Sequence, residues 1–482
     1  MGEVDHTVIR GLVKIALCAL VAWLVAMWAH SGAPMFDNLS NAGRTTLWIM
    51  VFAALMWITE AIPAYAVALL VMGMQILILG RPGGVFAEAG DTHAWQAFVQ
   101  PWSSPLMWLF VGGFTLAIAA SKTDLDQAIA MRVLKLFGTK PAAVLAGCMT
   151  VTFVFSMFMS NTATAAMMIA VVAPVARALP KGDPFIKALY LGIPVGANIG
   201  GMGTIIGSPP NAIAAGALEA AGHSISFLGW MQYGLPPALL LAVVGWYFLK
   251  KRYPCEQESI ELKEVEKKEL EEEARNPYSM LHRLMVGIIF VATVALWMTE
   301  KWHKMPSAVV SFIPIVGLTV TGVLTSADVR KLQWDVLLLL SGGLSLGVAV
   351  AKTGLAAWFA SLLPVGLAVW ILVIVVCYLA VAQSNLMSNT ATASILMPIC
   401  IGLASGDPTM MAVAVALCCS CAMMLPISTP PNAVAYASGY LETRDFIKTG
   451  VMYALLSPLI IYLWVAVSGS PDLWKVITSF LT

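Results

Sequence analysis

The residues best suited to binding chemistry form two copies of the pentapeptide Ser-Asn-Thr-Ala-Thr, at 160–164 and 388–392. The hydroxyl and carboxamide groups of Ser-Asn-Thr are neutral, and each can donate a hydrogen bond to an anion or offer oxygen to a cation. A helix that begins just after each Ser-Asn-Thr directs its positive end and free amide groups there, which favours a carboxylate or sulfate. The alternative is that each Ser-Asn-Thr merely caps the following helix. Two copies at matched positions favour a binding site. We name them tip 1 (160–162) and tip 2 (388–390).

Tandem prolines form a second matched pair of segments. Break 1 is Gly207-Ser208-Pro209-Pro210-Asn211, and break 2 is Ser428-Thr429-Pro430-Pro431-Asn432. Proline lacks an amide donor and clashes with the preceding turn, so carbonyl groups near 205–208 and 426–429 lose their helical partners. Free carbonyl groups beside Ser208 and Thr429 are suitable sodium ligands. A plain proline kink is the alternative interpretation.

Four landmarks of the first half of the chain recur in the same order in the second half. Besides the tips and breaks, Trp57-Ile58-Thr59-Glu60 matches 297–300, and Gly112-Gly113 matches 342–343. The offsets are 240, 230, 228 and 221 residues, so the halves differ by a few loop residues. We predict a first repeat at 1–249, a charged linker at 250–280 and a second repeat at 281–482. Such duplications typify secondary transporters, whose binding sites lie where the repeats meet.

Composition indicates a membrane protein. Of 482 residues, 59% are hydrophobic and only 11% are charged, whereas soluble domains carry roughly 25% charged residues. The net charge of +1 gives no reason to expect a nucleic-acid partner. The sequence shows no nucleophile–base pairing, HExxH or P-loop, so we expect no enzyme. An ion channel is the alternative class, since polar-tipped hairpins also build selectivity filters.

We predict an all-α polytopic membrane protein with about eleven transmembrane helices and two re-entrant helical hairpins. About 20 helical residues cross a bilayer, and nine apolar runs of about that size predict simple spans: 10–30, 45–62, 64–80, 103–121, 225–249, 281–300, 305–324, 334–351 and 443–468. The hairpins are predicted at 141–179 and 365–404, and two broken helices at 185–220 and 408–439. Non-helical backbone at membrane depth must be covered by protein or line an aqueous cavity. We therefore expect all four interruptions to converge on one internal site.

The distribution of Lys and Arg predicts the orientation. With a cytoplasmic N-terminus and an external C-terminus, 21 of the 27 basic residues face the cytoplasm, which is the expected bias. The six external ones are Arg44, Arg81, Lys301, Lys304, Lys352 and Lys475. Lys122 then faces inward and its repeat mate Lys352 outward, so the repeats are predicted to be inverted. The charged linker is predicted to be a solvated cytoplasmic helix.

On these motifs, together with the Trp-Ile-Thr-Glu-Ala-Ile-Pro segment at 57–63, the chain closely resembles the divalent anion–sodium symporters. The resemblance implies a homodimer in the lipid of a bacterial inner membrane, with a scaffold domain and a mobile transport domain that moves like an elevator. It implies a first sodium site at Ser156, Ser160, Asn161 and Gly207, and a second at Ser384, Met387, Asn389 and Ser428. It implies that the substrate meets Asn161, Thr162, Asn389, Thr390 and Thr429, with Ser208 and Pro430 beside them.

The function expected from the resemblance is sodium-coupled symport of C4-dicarboxylates such as succinate, malate and fumarate. A sodium-independent anion exchanger and a citrate or sulfate symporter are the alternatives within the family. The tips and breaks contain no Lys, Arg, His, Asp or Glu, and burying an unpaired dianion is very costly. Helix ends offer only about half a charge each. We therefore expect at least two sodium ions to accompany each dianion.

Overall fold

The computed structural model describes residues 2–86, 91–260, 278, 280–362, 368–404 and 407–469, and every regular element in this part of the chain is helical. By packing, the chain divides into two units. The first unit comprises Met1–Met107, Ala212–Ile225 and Gln333–Cys419. The second unit comprises Trp108–Asn211, Ser226–Leu332 and Ser420–Thr482. Most of the predicted charged linker, 261–277 and 279, lies outside the described residues.

The first unit contains tip 2. Its helices are Gly2–His30, Asn41–Thr59, Ala64–Met74, Gln96–Val99, Trp334–Lys352, Leu355–Ser361, Val369–Leu386, Asn389–Leu403 and Thr409–Cys419. Short 3-10 turns cover Pro34–Phe36 and Gln100–Ser103, and a π-helical turn covers Gln75–Leu79. Helices Pro105–Lys122 and Pro209–Ala220 contribute residues to both units.

Close approach of helices in the first unit depends on small residues of the repeated Gly-Gly landmark. A Cβ atom added to Gly342 would lie 2.4 Å from the Cβ of Ala68, so Trp334–Lys352 packs tightly against Ala64–Met74. Gly343 faces Ser394 of Asn389–Leu403 in the same way. The helix that follows tip 2 is therefore held directly against a buried helix of this unit.

The second unit contains tip 1 and both breaks. Its helices are Leu125–Leu136, Pro141–Ser156, Asn161–Arg177, Phe185–Gly200, Phe227–Arg252, Met280–Met298, Glu300–His303, Ser307–Val310, Phe312–Val320, Ser326–Val329, Pro430–Tyr436 and Thr443–Ser468. Two 3-10 turns, Gly201–Gly203 and Ile205–Gly207, separate Phe185–Gly200 from the helix that begins at Pro209.

Glycines also set the packing around tip 1. A Cβ atom on Gly200 would lie 2.3 Å from the carbonyl oxygen of Phe153, so Phe185–Gly200 and Pro141–Ser156 are in backbone contact. Fifteen of the sixteen residues of Phe185–Gly200 are buried, all but Lys187. This helix is the centre of the second unit, and it carries the chain to break 1.

Nine helices in the described part are long and apolar enough to cross a bilayer. Two predicted spans, 64–80 and 305–324, are instead shorter helices. The first passes into the π-helical turn after Met74, and the second divides at Ser311 because Pro314 has no amide to donate to Val310. Conversely, Val369–Leu386, predicted as a hairpin arm, is long enough to span. Re-entry of the hairpins and inversion of the repeats stay predictions.

Candidate functional site

The serine of each tip caps the helix that follows. Ser160 Oγ accepts a hydrogen bond from the amide of Ala163, and Ser388 Oγ accepts one from Ala391, both at 3.2 Å. The backbone angles of the two serines agree closely, with φ −63° for both and ψ 139° and 144°. The capping alternative therefore describes the serines. It does not describe the asparagines: Asn161 Oδ1 accepts from Ser156, and Asn389 Oδ1 has no partner among the described residues.

At tip 1 the side chain of Asn161 belongs to a cluster of oxygen atoms. Ser156 Oγ lies 2.6 Å from Asn161 Oδ1 and 2.7 Å from the carbonyl oxygen of Ala197. Ser156 is completely buried. One hydroxyl proton serves only one of these two acceptors. A cation beside the cluster would satisfy the remaining lone pairs.

Two glycines let the backbone pack closely against this cluster. A Cβ atom on Gly201 would lie 2.7 Å from Asn161 Oδ1 and 3.0 Å from the carbonyl oxygen of Gly207. A Cβ atom on Gly207 would lie 2.6 Å from the carbonyl oxygen of Gly201. Two oxygens predicted as sodium ligands therefore pack directly against Gly201, and any side chain at this position would clash with them.

Break 1 is held together by the side chains of Asn211 and Thr204. Asn211 Nδ2 donates to the carbonyl oxygens of Gly201 and Thr204, at 2.8 and 2.7 Å. Thr204 Oγ1 donates to the carbonyl oxygen of Met157, next to tip 1, and accepts from the amide of Gly207. Some carbonyl groups released at the break are thus bound by side chains. This differs from a plain proline kink, and it fixes Gly207 relative to tip 1.

Break 2 contains the equivalent amide contact. Asn432 Nδ2 donates to the carbonyl oxygen of Leu425 at 2.9 Å, seven residues back, as Asn211 does to Thr204. Thr429 caps Pro430–Tyr436 by accepting from the amide of Asn432 at 3.4 Å. Pro430 occupies the first helical position, where a missing amide is tolerated. Ser428 Oγ accepts from the amide of Leu425.

Tip 2 presents oxygens that have no partner. Ser384 Oγ and Asn389 Oδ1 are buried, and neither makes a hydrogen bond to any described residue. Met387 is buried and extended, with φ −142° and ψ 173°, and its amide bonds to Gln383. Three of the four ligands predicted for the second sodium ion thus lie together in the first unit. The fourth, Ser428, belongs to the second unit, so the complete site stays a prediction.

Each unit collects part of the predicted site. The first unit contains Ser384, Met387, Asn389 and Thr390, and the second contains Ser156, Ser160, Asn161, Thr162, Gly207, Ser208, Ser428, Thr429 and Pro430. The hydroxyls of Thr162 and Thr390 make no hydrogen bond within the described part of the chain, and both residues are at least partly exposed. Ser208 and Thr429 are nearly inaccessible.

Sequence reasoning missed three polar residues. Thr164 and Thr392, the last residues of the two pentapeptides, are fully buried, and their hydroxyls bond to no described residue. Asn198 is also fully buried, and it contacts break 2. The repetition of the complete pentapeptide was a signal for the threonines. No sequence feature indicated the role of Asn198, because its partners are more than 200 residues away.

The apolar helices describe a multi-pass membrane protein, and the polar clusters at its tips and breaks contain no charged side chain. The family model for the sodium:sulfate symporter transmembrane region matches residues 14–479, and the chain belongs to this family. It is similar to the sodium-dependent dicarboxylate transporter SdcS of Staphylococcus saprophyticus, with 31% identity over 471 residues, 89% of this chain and 86% of the relative. SdcS of Staphylococcus aureus strain bovine RF122 is 32% identical over 496 residues, covering 94% and 90%.

A solved structure gives the same fold. The YdaH transporter of Alcanivorax borkumensis superposes with a TM-score of 0.53 over 86% of this chain and 98% of that one, at 13% identity. At this identity the likeness concerns the fold alone. Membership of the family confirms the prediction of a transporter rather than an enzyme.

Proposed function

We propose that this chain is a secondary active transporter that couples sodium to the uptake of C4-dicarboxylates. The observation that carries the proposal is that two buried oxygens, that of Ser384 just before tip 2 and that of Asn389 within it, have no hydrogen-bond partner among the described residues. Burying a polar oxygen without a partner is costly, so a ligand that supplies the missing interaction is expected. A hard cation prefers such neutral oxygens, and the similar proteins are named sodium-dependent dicarboxylate transporters.

We assign two sodium sites. The first comprises Ser156, Ser160, Asn161 and the carbonyl group of Gly207. It is supported by the crowded oxygens around Ser156 and by the Asn161 and Gly207 oxygens that both pack against Gly201. The second comprises Ser384, Asn389 and backbone oxygens at Met387 and Ser428. Both sites use uncharged oxygen ligands. Such ligands suit a monovalent cation that must be released at the end of the transport cycle.

The substrate carboxylates are assigned to hydrogen-bond donors. At tip 1 these are Asn161 and Thr162, and at tip 2 they are Asn389 and Thr390, beside the free amides at the start of each following helix. The breaks contribute the hydroxyls of Ser208 and Thr429. Pro430, which has no amide proton to donate, lies beside Thr429 in the sequence. The hydroxyls of Thr162 and Thr390 have no partner in the described residues, which supports a ligand-binding role.

Charge balance supports at least two sodium ions for each dianion. Helix ends offer about half a charge each, and the tips and breaks carry no basic side chain. A third ion would make transport electrogenic, and one charge crossing about 100 mV is worth about 2.3 kcal/mol. We further propose a homodimer in the bacterial inner membrane that moves by an elevator mechanism, as the resemblance implies.

The test is uptake of labelled succinate into proteoliposomes, with an inward gradient of sodium or of potassium. We expect uptake only with sodium, with a Hill coefficient above one. Full-rate succinate exchange in sodium-free buffer would replace the symporter with a sodium-independent exchanger.

Sulfate is the second candidate substrate, because the description of the matched family names it. Excess unlabelled sulfate, citrate, malate and fumarate should be compared as competitors in the same assay. We expect malate and fumarate to compete strongly and sulfate weakly. Sodium-driven uptake of labelled sulfate, with no uptake of succinate, would reverse the assignment.

A further inference from the structure

Asn198 connects the first broken helix to the second break. Its Nδ2 lies 3.0 Å from Thr429 Oγ1 and 3.3 Å from Asn432 Oδ1, entirely within the second unit. Asn198 has no accessible surface, and Thr429 and Asn432 have almost none. The hydrogen bond to Thr429 joins residues 231 positions apart in the sequence. Burying an amide costs free energy, which such hydrogen bonds offset.

The network fixes which way the Asn198 amide faces. Asn432 Nδ2 donates to the carbonyl oxygen of Leu425, so its Oδ1 is the atom that faces Asn198. An amide oxygen only accepts hydrogen bonds, so the facing atom of Asn198 must be its NH₂ group. The two protons of that group then meet Asn432 Oδ1 and Thr429 Oγ1.

This orientation determines what the Thr429 hydroxyl can do. Its oxygen accepts from Asn198 Nδ2 at 3.0 Å and, more weakly, from the amide of Asn432 at 3.4 Å, and a hydroxyl oxygen has two lone pairs. With both lone pairs facing donors, the hydroxyl is left to act as a donor. Its proton has no acceptor among the described residues. A hydroxyl prepared in this way is suited to bind an anion, and it disfavours a cation at the same oxygen.

We propose that Asn198 is a positioning residue for anion recognition, which holds the Thr429 hydroxyl as an obligate donor to the substrate carboxylate. The inference rests on the proposed function, since it assumes that Thr429 meets a dicarboxylate. It adds a residue that contacts neither substrate nor sodium in that proposal. It also explains why a fully buried asparagine occupies the helix before break 1.

The two repeats differ at this point. Residue 198 corresponds to Cys419 at the offset of the breaks, and a thiol is a weak donor. Within the described part of the chain, the hydroxyl of Ser208, the counterpart of Thr429, receives only a contact from Ser420 Oγ at 3.3 Å, long for a hydroxyl pair. The short hydrogen bond from a buried amide is thus found at Thr429 and not at Ser208. Ser420→Ala should therefore affect substrate affinity much less than Asn198→Ala.

The test is a double-mutant cycle in proteoliposomes, which measures the KM for succinate at saturating sodium. We expect Asn198→Ala to raise the KM roughly 3- to 10-fold, the usual range for one hydrogen bond. Thr429→Val should raise it by at least roughly 10-fold, because a bond to a charged group is lost. On the Thr429→Val background, Asn198→Ala should cause no further rise.

Asn211 is the matched control. It is equally buried and its Nδ2 also bonds two acceptors, but these are the carbonyl oxygens of Gly201 and Thr204 and not Thr429. The Oδ1 atoms of Asn198 and Asn211 both lack a partner among the described residues. Asn211→Ala should raise the sodium concentration for half-maximal uptake. Its effect on the KM should multiply with that of Thr429→Val.

Asn198→Asp, which is nearly isosteric, replaces Asn198→Ala if the alanine variant does not fold. It should raise the KM, because a carboxylate accepts the Thr429 proton.

The outcomes separate the inference from the function on which it rests. If the KM effects of Asn198 and Thr429 multiply, or if Asn198→Ala leaves the KM unchanged in folded protein, the positioning role is wrong while the symporter stands. If the wild-type protein shows no sodium-dependent succinate uptake, the proposed function fails first and the inference fails with it.

Discussion

At the scale of single residues, capping and binding are divided between neighbours. Ser160 and Ser388 cap their helices with the same geometry. The asparagines that follow engage other oxygens or none, as Asn389 Oδ1 illustrates. A helix start can therefore satisfy its own amides and still offer unsatisfied groups to a ligand. The competing interpretations of Ser-Asn-Thr are thus compatible.

The two serines provide a matched test of this division. Ser160→Ala and Ser388→Ala should each cost about 0.5–2 kcal/mol of stability, because each removes a cap. Only Ser160 is also assigned as a sodium ligand. Ser160→Ala should therefore raise the sodium concentration for half-maximal uptake, whereas Ser388→Ala should leave it near the wild-type value. Thermal unfolding in detergent and sodium titration of uptake measure the two effects. An equal sodium shift in both variants would assign Ser160 to capping alone.

At the scale of elements, the sequence located the interruptions better than it located their partners. Proline chemistry and the Ser-Asn-Thr turns are local, so the helix ends near Ser156 and Pro209 follow from nearby residues. The hydrogen bond from Asn198 to Thr429 is not local, and hydrophobic periodicity carries no information about such partners. The short helices at 64–80 and 305–324 were missed because overall hydropathy does not reveal a π-helical turn or a proline-induced division.

An ion pair at the end of Pro105–Lys122 gives a prediction for this scale. Lys122 Nζ lies 2.5 Å from Asp328 Oδ2, which also accepts from the amide and hydroxyl of Thr325. Burial alone would raise the pKa of Asp328, but the hydrogen bonds from Lys122 and Thr325 outweigh burial and lower the pKa to about 2. Because the pKa is lower in the folded protein, the ionised carboxyl stabilises the fold at pH values above the pKa of the unfolded protein, ordinarily 3.8. This contribution is lost as the pH falls from there toward 2.

Asp328→Asn should therefore destabilise the protein by about 1–3 kcal/mol at pH 7, because the largely buried Lys122 loses its charged partner. The difference from wild type should shrink below about pH 4, as this carboxyl begins to protonate in the unfolded wild-type protein while it stays ionised in the folded one. Asp335→Asn is the control, since Asp335 is exposed and the change should stay under about 1 kcal/mol. Melting temperatures in detergent across this pH range measure both. A pH-independent difference would exclude the charge as the cause.

At the scale of the whole molecule, the repeat stays a prediction from the sequence, and the two breaks share one hydrogen bond. Asn211 and Asn432 make the same hydrogen bond to the carbonyl group seven residues earlier, although only the Pro-Pro-Asn-Ala of each break is identical. The same side-chain to backbone hydrogen bond, kept although the surrounding residue types differ, is expected if both halves derive from one ancestral unit. It does not report how the halves are oriented in the bilayer. The orientation still depends on the 21-to-6 division of basic residues.

Cysteine labelling tests that orientation. Among the described residues only Cys255 is more than slightly exposed, so we expect the Cys255→Ser variant to show little labelling of native cysteines. Lys135→Cys should react with an impermeant maleimide only from the cytoplasmic side, the side assigned to Lys122. Lys352→Cys, at the repeat mate of Lys122, should react only from outside, because an inverted repeat places equivalent positions on opposite faces. Lys301→Cys supplies a second external position. Right-side-out and inverted vesicles should give opposite labelling patterns for these positions. Labelling of residues 135 and 352 from the same side would mean that the repeats are parallel, and the inverted arrangement would have to be abandoned.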